Sequence, residues 1–502
     1  MPTETKDQRA MDESQPHNMH RKIARNVSLL GLSVGLTMLI GLALKMILPR
    51  IMGPEKMGIF YFADSFTNTF FAFLPLGFTT YINRTVPSNH GHVRDIFGTI
   101  VLVELLMALV IGILMFGSLV IFKRDAGWET WGTVMIMGVY AATFSFQRNI
   151  LHKIFIAIDK VPLVSAINVV VKIVLVGGCL VVFKFHPTII MVAVMHAASE
   201  VFGLGYMLYQ SRRHYFFGVG PSMDRLKDLL KISLPFYMAG VLTTFFTETD
   251  TNMLGLMSTN IEVGYFGSAN KLIGVFLLLI PILQSSFTPA LSQALHDGRG
   301  TFEALFKQLL NLLLVCSLPL SVVLVLFGDY ISRLLYGDGF QASYKILCFL
   351  TPVLAMMYIN TLTGACLYLS SSGGRITRIF LVGLVINVAL DAIAIPIGMK
   401  LGPGGAGVAV SFCTFICEVY MFLAMIRIFP NRVLDWKLFK NMLVILIPCW
   451  LGMLLYEPMI ALSLSERLAL FALVPFYALL TRLVTMTEIR AFSKFMKSTL
   501  SS

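Results

Sequence analysis

The stretch Lys231–Ser286, KISLPFYMAGVLTTFFTETDTNMLGLMSTNIEVGYFGSANKLIGVFLLLIPILQSS, decides how the whole chain is read. Displaced toward the N-terminus, it falls on the first hydrophobic block. Gly264, Phe266, Ala269 and Pro281 then meet Gly58, Phe60, Ala63 and Pro75 at one shared offset. Further back, Ser233-Leu234 meets Ser28-Leu29 after a one-residue change of register, and both pairs open a long apolar run just behind basic residues. A repeat of whole apolar spans is the mark of many proteins whose two halves rock around a site at their interface.

Composition leads to the same class. Of 502 residues, 57% are hydrophobic and 13% charged, against about 25% charged in soluble domains. Apolar runs near the ~20 residues that a membrane span needs recur from Val27 almost to the last residues. The chain therefore reads as an all-α polytopic membrane protein of about 14 transmembrane helices, arranged as two parallel six-helix repeats plus a C-terminal helix pair. Six is even, so both repeats enter the membrane the same way round and the repeat axis lies along the membrane normal. The expected organisation is a cytoplasmic tail 1–26, a half 27–210, a connector 211–230, a second half 231–428, an additional pair 429–487 and a tail 488–502.

The formal charge of +12 follows from orientation. Basic residues such as Arg21, Arg25, Arg148, Lys153, Arg212, Arg213, Arg375, Arg378 and Lys440 gather in alternate loops, which the positive-inside rule assigns to the cytoplasm together with both termini. No nucleic-acid partner is needed to explain it. The seven cysteines all lie in apolar runs without a CxxC pair and read as small buried hydrophobes. Val27–Leu48 lacks a small-residue cleavage site and is expected to stay as the first helix. No phosphate-binding GxxxxGK[ST], His-Glu-x-x-His or nucleophile elbow occurs, so neither catalysis nor a cofactor or metal is expected.

Two stretches carry a resemblance. Between the first two spans the chain reads LPRIMGPEKMGIFYFADSF, and in the second half LGPGGAGVAVSF between Leu401 and Phe412. Arg50, Gly53, Pro54, Glu55 and Gly58, with Pro396, Gly405, Ala406 and Ala409, resemble motifs of Wzx-type polysaccharide flippases of the multidrug/oligosaccharidyl-lipid/polysaccharide (MOP) exporter superfamily. The same glycines also suit plain turns and close helix packing. The resemblance implies a carrier of lipid-linked oligosaccharide, an undecaprenyl-pyrophosphate repeat unit, moved by alternating access from the cytoplasmic to the periplasmic leaflet of a cell inner membrane. A polysaccharide polymerase and glycosyltransferases would act in the same pathway. A multidrug or cation antiporter of the same superfamily, or a lipid II flippase, stays open as the alternative.

Charges inside spans mark the candidate pathway, since each costs about 2.5 to 3.5 kcal/mol at mid-membrane even on the lenient insertion scale. The candidates are Lys45, Asp64, Lys172, Glu248, Asp250, Lys271 and Asp391. Ten such charges include seven acids, which is not the make-up of a purely cationic tunnel for a pyrophosphate and suits H+ or Na+ coupling at least as well. Under the repeat offset Lys45 falls beside Asp250 and Asp64 beside Lys271. Pairs Lys45 with Asp250 and Asp64 with Lys271 would then hold the outward side shut; the alternative is pairing within each half, Lys45 with Asp64 and Asp250 with Lys271. The dense rings from Phe60 to Phe73 read as packing rather than sugar stacking.

Overall fold

The computed structural model describes residues 6–86, 93–185, 187–213, 223–370, 373–427 and 436–483. Residues 214–222 of the expected connector and all of the expected tail 488–502 lie outside the described residues. Among the described residues every regular element is helical. That is what lipid demands, because a helix satisfies its own backbone hydrogen bonds where no water can. Backbone contacts group the chain into two units, Met1–Ile51 with Phe66–Tyr237, and Met52–Ser65 with Met238–Ser502.

The first unit holds most of α1 (Lys6–Phe71), then α2 (Phe78–Thr85), α3 (Val93–Phe122) and α4 (Trp128–Phe146). A π-helical turn, Gln147–Leu151, leads into α5 (His152–Ala157), followed by α6 (Val161–Phe185) and α7 (Ile189–Arg213). Both α4 and α6 pack along α7. Phe78, Phe97, Ile150, Phe155, Ile167 and Met207 belong to one buried cluster drawn from six of these elements. On α3, Leu105, Leu109 and Ile113 repeat every fourth residue and are all exposed, which is the face a helix turns to hydrocarbon.

The second unit adds α8 (Met223–Met257) from Met238 onward, α9 (Asn260–Leu277), α10 (Leu279–Asp297) and α11 (Arg299–Tyr336). Then come α12 (Gln341–Ser370), α13 (Gly373–Met399) and α14 (Gly405–Ile426). α15 (Trp436–Leu454), α16 (Tyr456–Ala461), α17 (Leu464–Ala472) and α18 (Val474–Leu480) complete it. α12 is the hub, packed against α9, α11, α14 and α15, and 83% of its most apolar window is buried. Lipid tails are as apolar as leucine, so such packing rests on close contact and polar links rather than on exclusion of water.

Nine of the described segments are long and apolar enough to cross a membrane, and they do not map one to one onto fourteen expected spans. The first two expected spans appear as one long segment, Ser28–Phe71, bent where Gly53 leaves helical geometry at φ 76° and ψ 170° in front of Pro54. The expected second span, 59–83, is broken between Phe71 and Phe78. There Pro75 lacks an N–H, Leu76 and Gly77 turn to φ 41° and 75°, and the chain restarts as α2. The expected last span is divided too, with α17 and α18 meeting at Leu473 just ahead of Pro475. Nine residues of α17 rise only about 14 Å.

What holds this last segment is Arg467, an arginine that is fully buried. Its guanidinium donates to the carbonyls of Leu326, Ile460 and Leu462, pairs with Asp329 and lies 4.4 Å from the Tyr330 ring centre. Six of the seven cysteines are buried, Cys316 is half-buried, and all are free.

Candidate functional site

Among the described glycines, Gly58 and Gly264 are the two whose Cβ positions lie closest to opposing backbone. A Cβ on Gly58 would drive into the Asn260 carbonyl, and one on Gly264 into the Pro54 carbonyl. Pro54 and Asn260 stand at the same repeat offset as Gly58 and Gly264, so one contact is made twice with its partners exchanged. At the centre the Tyr61 ring lies on Gly267, again equivalent positions. Glycine is required at all three places because the opposing atoms leave no room for a side chain.

Polar groups line the same crossing. Lys271 Nζ sits 3.2 Å from Asp64 Oδ2 and 6.0 Å from the Tyr61 ring centre. The Tyr61 and Ser268 hydroxyls are 3.4 Å apart, and Ser65 Oγ donates to the Glu248 carbonyl at 2.9 Å. The ion pair keeps 36% and 23% of its two side chains accessible, so water screens it. Glu248 is half-buried, and Lys45 is exposed on α1.

Asp250 is engaged elsewhere in the second unit. Its Oδ2 accepts from Thr414 Oγ1 of α14 at 2.7 Å, and Asp391 and Asn387 of α13 stand beside it. Asp391 is fully buried and Asn387 nearly so, yet both oxygens of Asp391, both polar atoms of Asn387 and Oδ1 of Asp250 lack a hydrogen-bond partner. One helical turn beyond Thr414, Glu418 accepts from Asn360 of α12. Among the described residues no set of three His, Cys, Asp or Glu is arranged for a metal ion. The groups gathered around Asp250 and Asp391 are carboxylate, amide and hydroxyl, with the thiols of Cys413 and Cys417 beside them.

Lys172 belongs to the first unit, 3.9 Å from Glu200 Oε1. The structure thus brings Asp64 to Lys271 and Asp250 to Asp391. Sequence reasoning missed Asn387, Thr414 and Asn360. The first two were detectable as polar partners one turn from Asp391 and Glu418 on their own helices, whereas Asn360 has no such acid on α12.

Residues 23–295, more than half of the chain, match the family model described as polysaccharide biosynthesis protein. The chain belongs to the polysaccharide biosynthesis protein family. This family member is 20% identical over 190 residues to the probable low-salt glycan biosynthesis flippase Agl15 of Haloferax volcanii, a match that spans 38% of this chain and 40% of that relative's length. Among solved structures, the lipid II flippase MurJ in an inward closed conformation superposes with a TM-score of 0.64 at 16% identity, covering 89% of this chain and 98% of MurJ. An inward-facing multidrug resistance MATE family transporter of the MOP superfamily also gives 0.64 at 16% identity, over 78% of this chain and 94% of the other. At such identities the likeness shows the fold alone, an all-α fold of many membrane-crossing helices.

Proposed function

We propose that the chain carries a lipid-linked oligosaccharide from the cytoplasmic to the outer leaflet of a cell inner membrane by alternating access, coupled to a monovalent cation. Membership of the polysaccharide biosynthesis family supports the cargo class, and the glycan flippase Agl15 supports the direction of the reading. The observation that carries the coupling is the buried pair Asp250 and Asp391, three of whose four carboxylate oxygens lack a hydrogen-bond partner, Thr414 serving the fourth. Two carboxylates buried side by side both stay charged only if a cation compensates them, and otherwise one of them takes up a proton.

Closure on the outward side falls to the doubled crossing at Gly58 and Gly264 and to the ion pair Asp64 with Lys271. A half-exposed pair worth about 1 kcal/mol or less separates readily, which a gate needs and a buried lock would prevent. Both termini then lie in the cytoplasm, and the polymerase and glycosyltransferases of the pathway act on either side of the step.

The test is translocation of a lipid-linked glycan in inside-out vesicles under imposed Na+ or H+ gradients. Asp391→Asn is expected to leave the protein in the membrane and abolish the gradient response, lowering the driven rate about tenfold or more. An unchanged response in that variant overturns the coupling. No translocation by the parent protein overturns the cargo.

A further inference from the structure

The first unit contains a second buried charge cluster that cation coupling at Asp250 does not use. It is organised by the π-helical turn Gln147–Leu151 between α4 and α5. Such turns are rare, weaken the helix locally and recur at functional sites, because the extra residue re-aims the side chains that follow. Here the turn carries Gln147 and Arg148. Gly203 of α7 lies so close to the Gln147 side chain that a Cβ would collide with it, which holds α7 against the turn.

Around this turn stand two cations and one carboxylate. Glu200 of α7 is fully buried, and neither of its oxygens accepts a hydrogen bond. Lys172 Nζ of α6 is 3.9 Å from Oε1, inside Coulomb range and outside hydrogen-bond range. Arg148 is near enough for its charge to act on both, its Nε donates to nothing, and its guanidinium lies 5.3 Å from the Phe144 ring centre. Lys172 keeps 18% of its side chain accessible, so the cluster is reachable. The three side chains carry one surplus positive charge in a low-dielectric setting, and a buried surplus charge calls for a counter-ion.

We infer that Arg148 and Lys172 form a subsite for the phosphoryl oxygens of a pyrophosphate, with Glu200 as the resident anion that holds the two cations in place until cargo arrives. A guanidinium fork and an ammonium matched to one diphosphate give shorter, stronger contacts than the long Lys172–Glu200 pair. Glu200 therefore opposes the ligand while keeping the empty site neutral enough to stay folded. The inference rests on the lipid-linked cargo proposed above and names where its charged linkage docks.

Binding of farnesyl pyrophosphate to the purified full chain in lipid nanodiscs tests it, with inorganic pyrophosphate and farnesol as separate arms. Lys172→Gln and Arg148→Gln are each expected to weaken farnesyl pyrophosphate binding about tenfold, Lys172→Arg to retain it, and Glu200→Gln to tighten it severalfold. This opposition of sign supports the subsite, since a merely structural pair would lose stability from either side without any gain in affinity. Inorganic pyrophosphate bound as tightly as the farnesyl compound, with the same response to the variants, keeps the diphosphate subsite but overturns the lipid as its source. Farnesyl pyrophosphate bound by the parent and unaffected by all four substitutions overturns the subsite and leaves the cargo standing. A parent protein that binds neither diphosphate overturns both.

Discussion

Single residues separate two kinds of buried charge in this chain. Arg467 is satisfied, with three carbonyls, a carboxylate and a ring around it, and its task is to hold α17 to the end of α11. Arg467→Met leaves Asp329 and those carbonyls without their donor, so thermal unfolding in detergent is expected to show a loss of about 3 to 5 kcal/mol. Arg333→Met, whose pair with Asp338 is 57% and 80% exposed, is expected to change nothing measurable. Asp391 and Glu200 are the other kind, buried with oxygens left open. Sequence alone marks the costly acids, because any acid in an apolar run stands out, but it does not mark Arg467. It did not separate the satisfied from the open ones, since the carbonyls that fill Arg467 come partly from α11 and the partner of Asp250 comes from α14. At the ion pair, exchange of the charges by Asp64→Lys with Lys271→Asp is expected to recover transport that either single change loses; transport lost in the double variant as well would remove the pair from the gate.

Helices show why the broad architecture was legible and its boundaries were not. Hydrophobic runs report which segments sit in lipid, and the repeat offset reports which segments are equivalent, both of which are local properties of the string. Where a run is cut depends on backbone chemistry within it. Pro75 followed by Gly77, and Pro475, end or divide helices inside runs that hydropathy treats as continuous. The same holds for the π turn, where QRNIL carries no breaker and no composition shift. The crossing between the start of the second expected span and α9 gives a prediction at this scale. Gly58→Leu and Gly264→Leu are each expected to abolish transport with normal amounts of protein in the membrane, because the backbones cannot separate to admit a side chain without losing Tyr61 on Gly267 and the nearby ion pair. Gly205→Leu, with open space around its Cα, is expected to be silent in the same assay. Equal activity in all three variants would mean the crossing is not needed for the cycle.

The whole molecule is a multi-pass membrane protein of the polysaccharide biosynthesis family, and the fall of its basic residues predicts its orientation. Cysteines placed singly at Ser258 and Asp338, in a background lacking the native seven, are expected to react with an impermeant thiol reagent from outside, and one at Ser222 only after permeabilisation. The opposite pattern would invert the protein and move the doubled crossing to the cytoplasmic face. That crossing also bears on ancestry. A contact made twice with its partners exchanged is what a true two-fold axis produces, so a six-helix ancestral chain would have made it against a second copy of itself. On such an axis two tyrosines facing each other would collide, and a symmetric dimer would have had to keep that position small on both sides. Joining the two copies in one chain would lift that requirement. Tyr61 in one half and Gly267 in the other fit that release, a ring occupying the axis from one side because its counterpart is small.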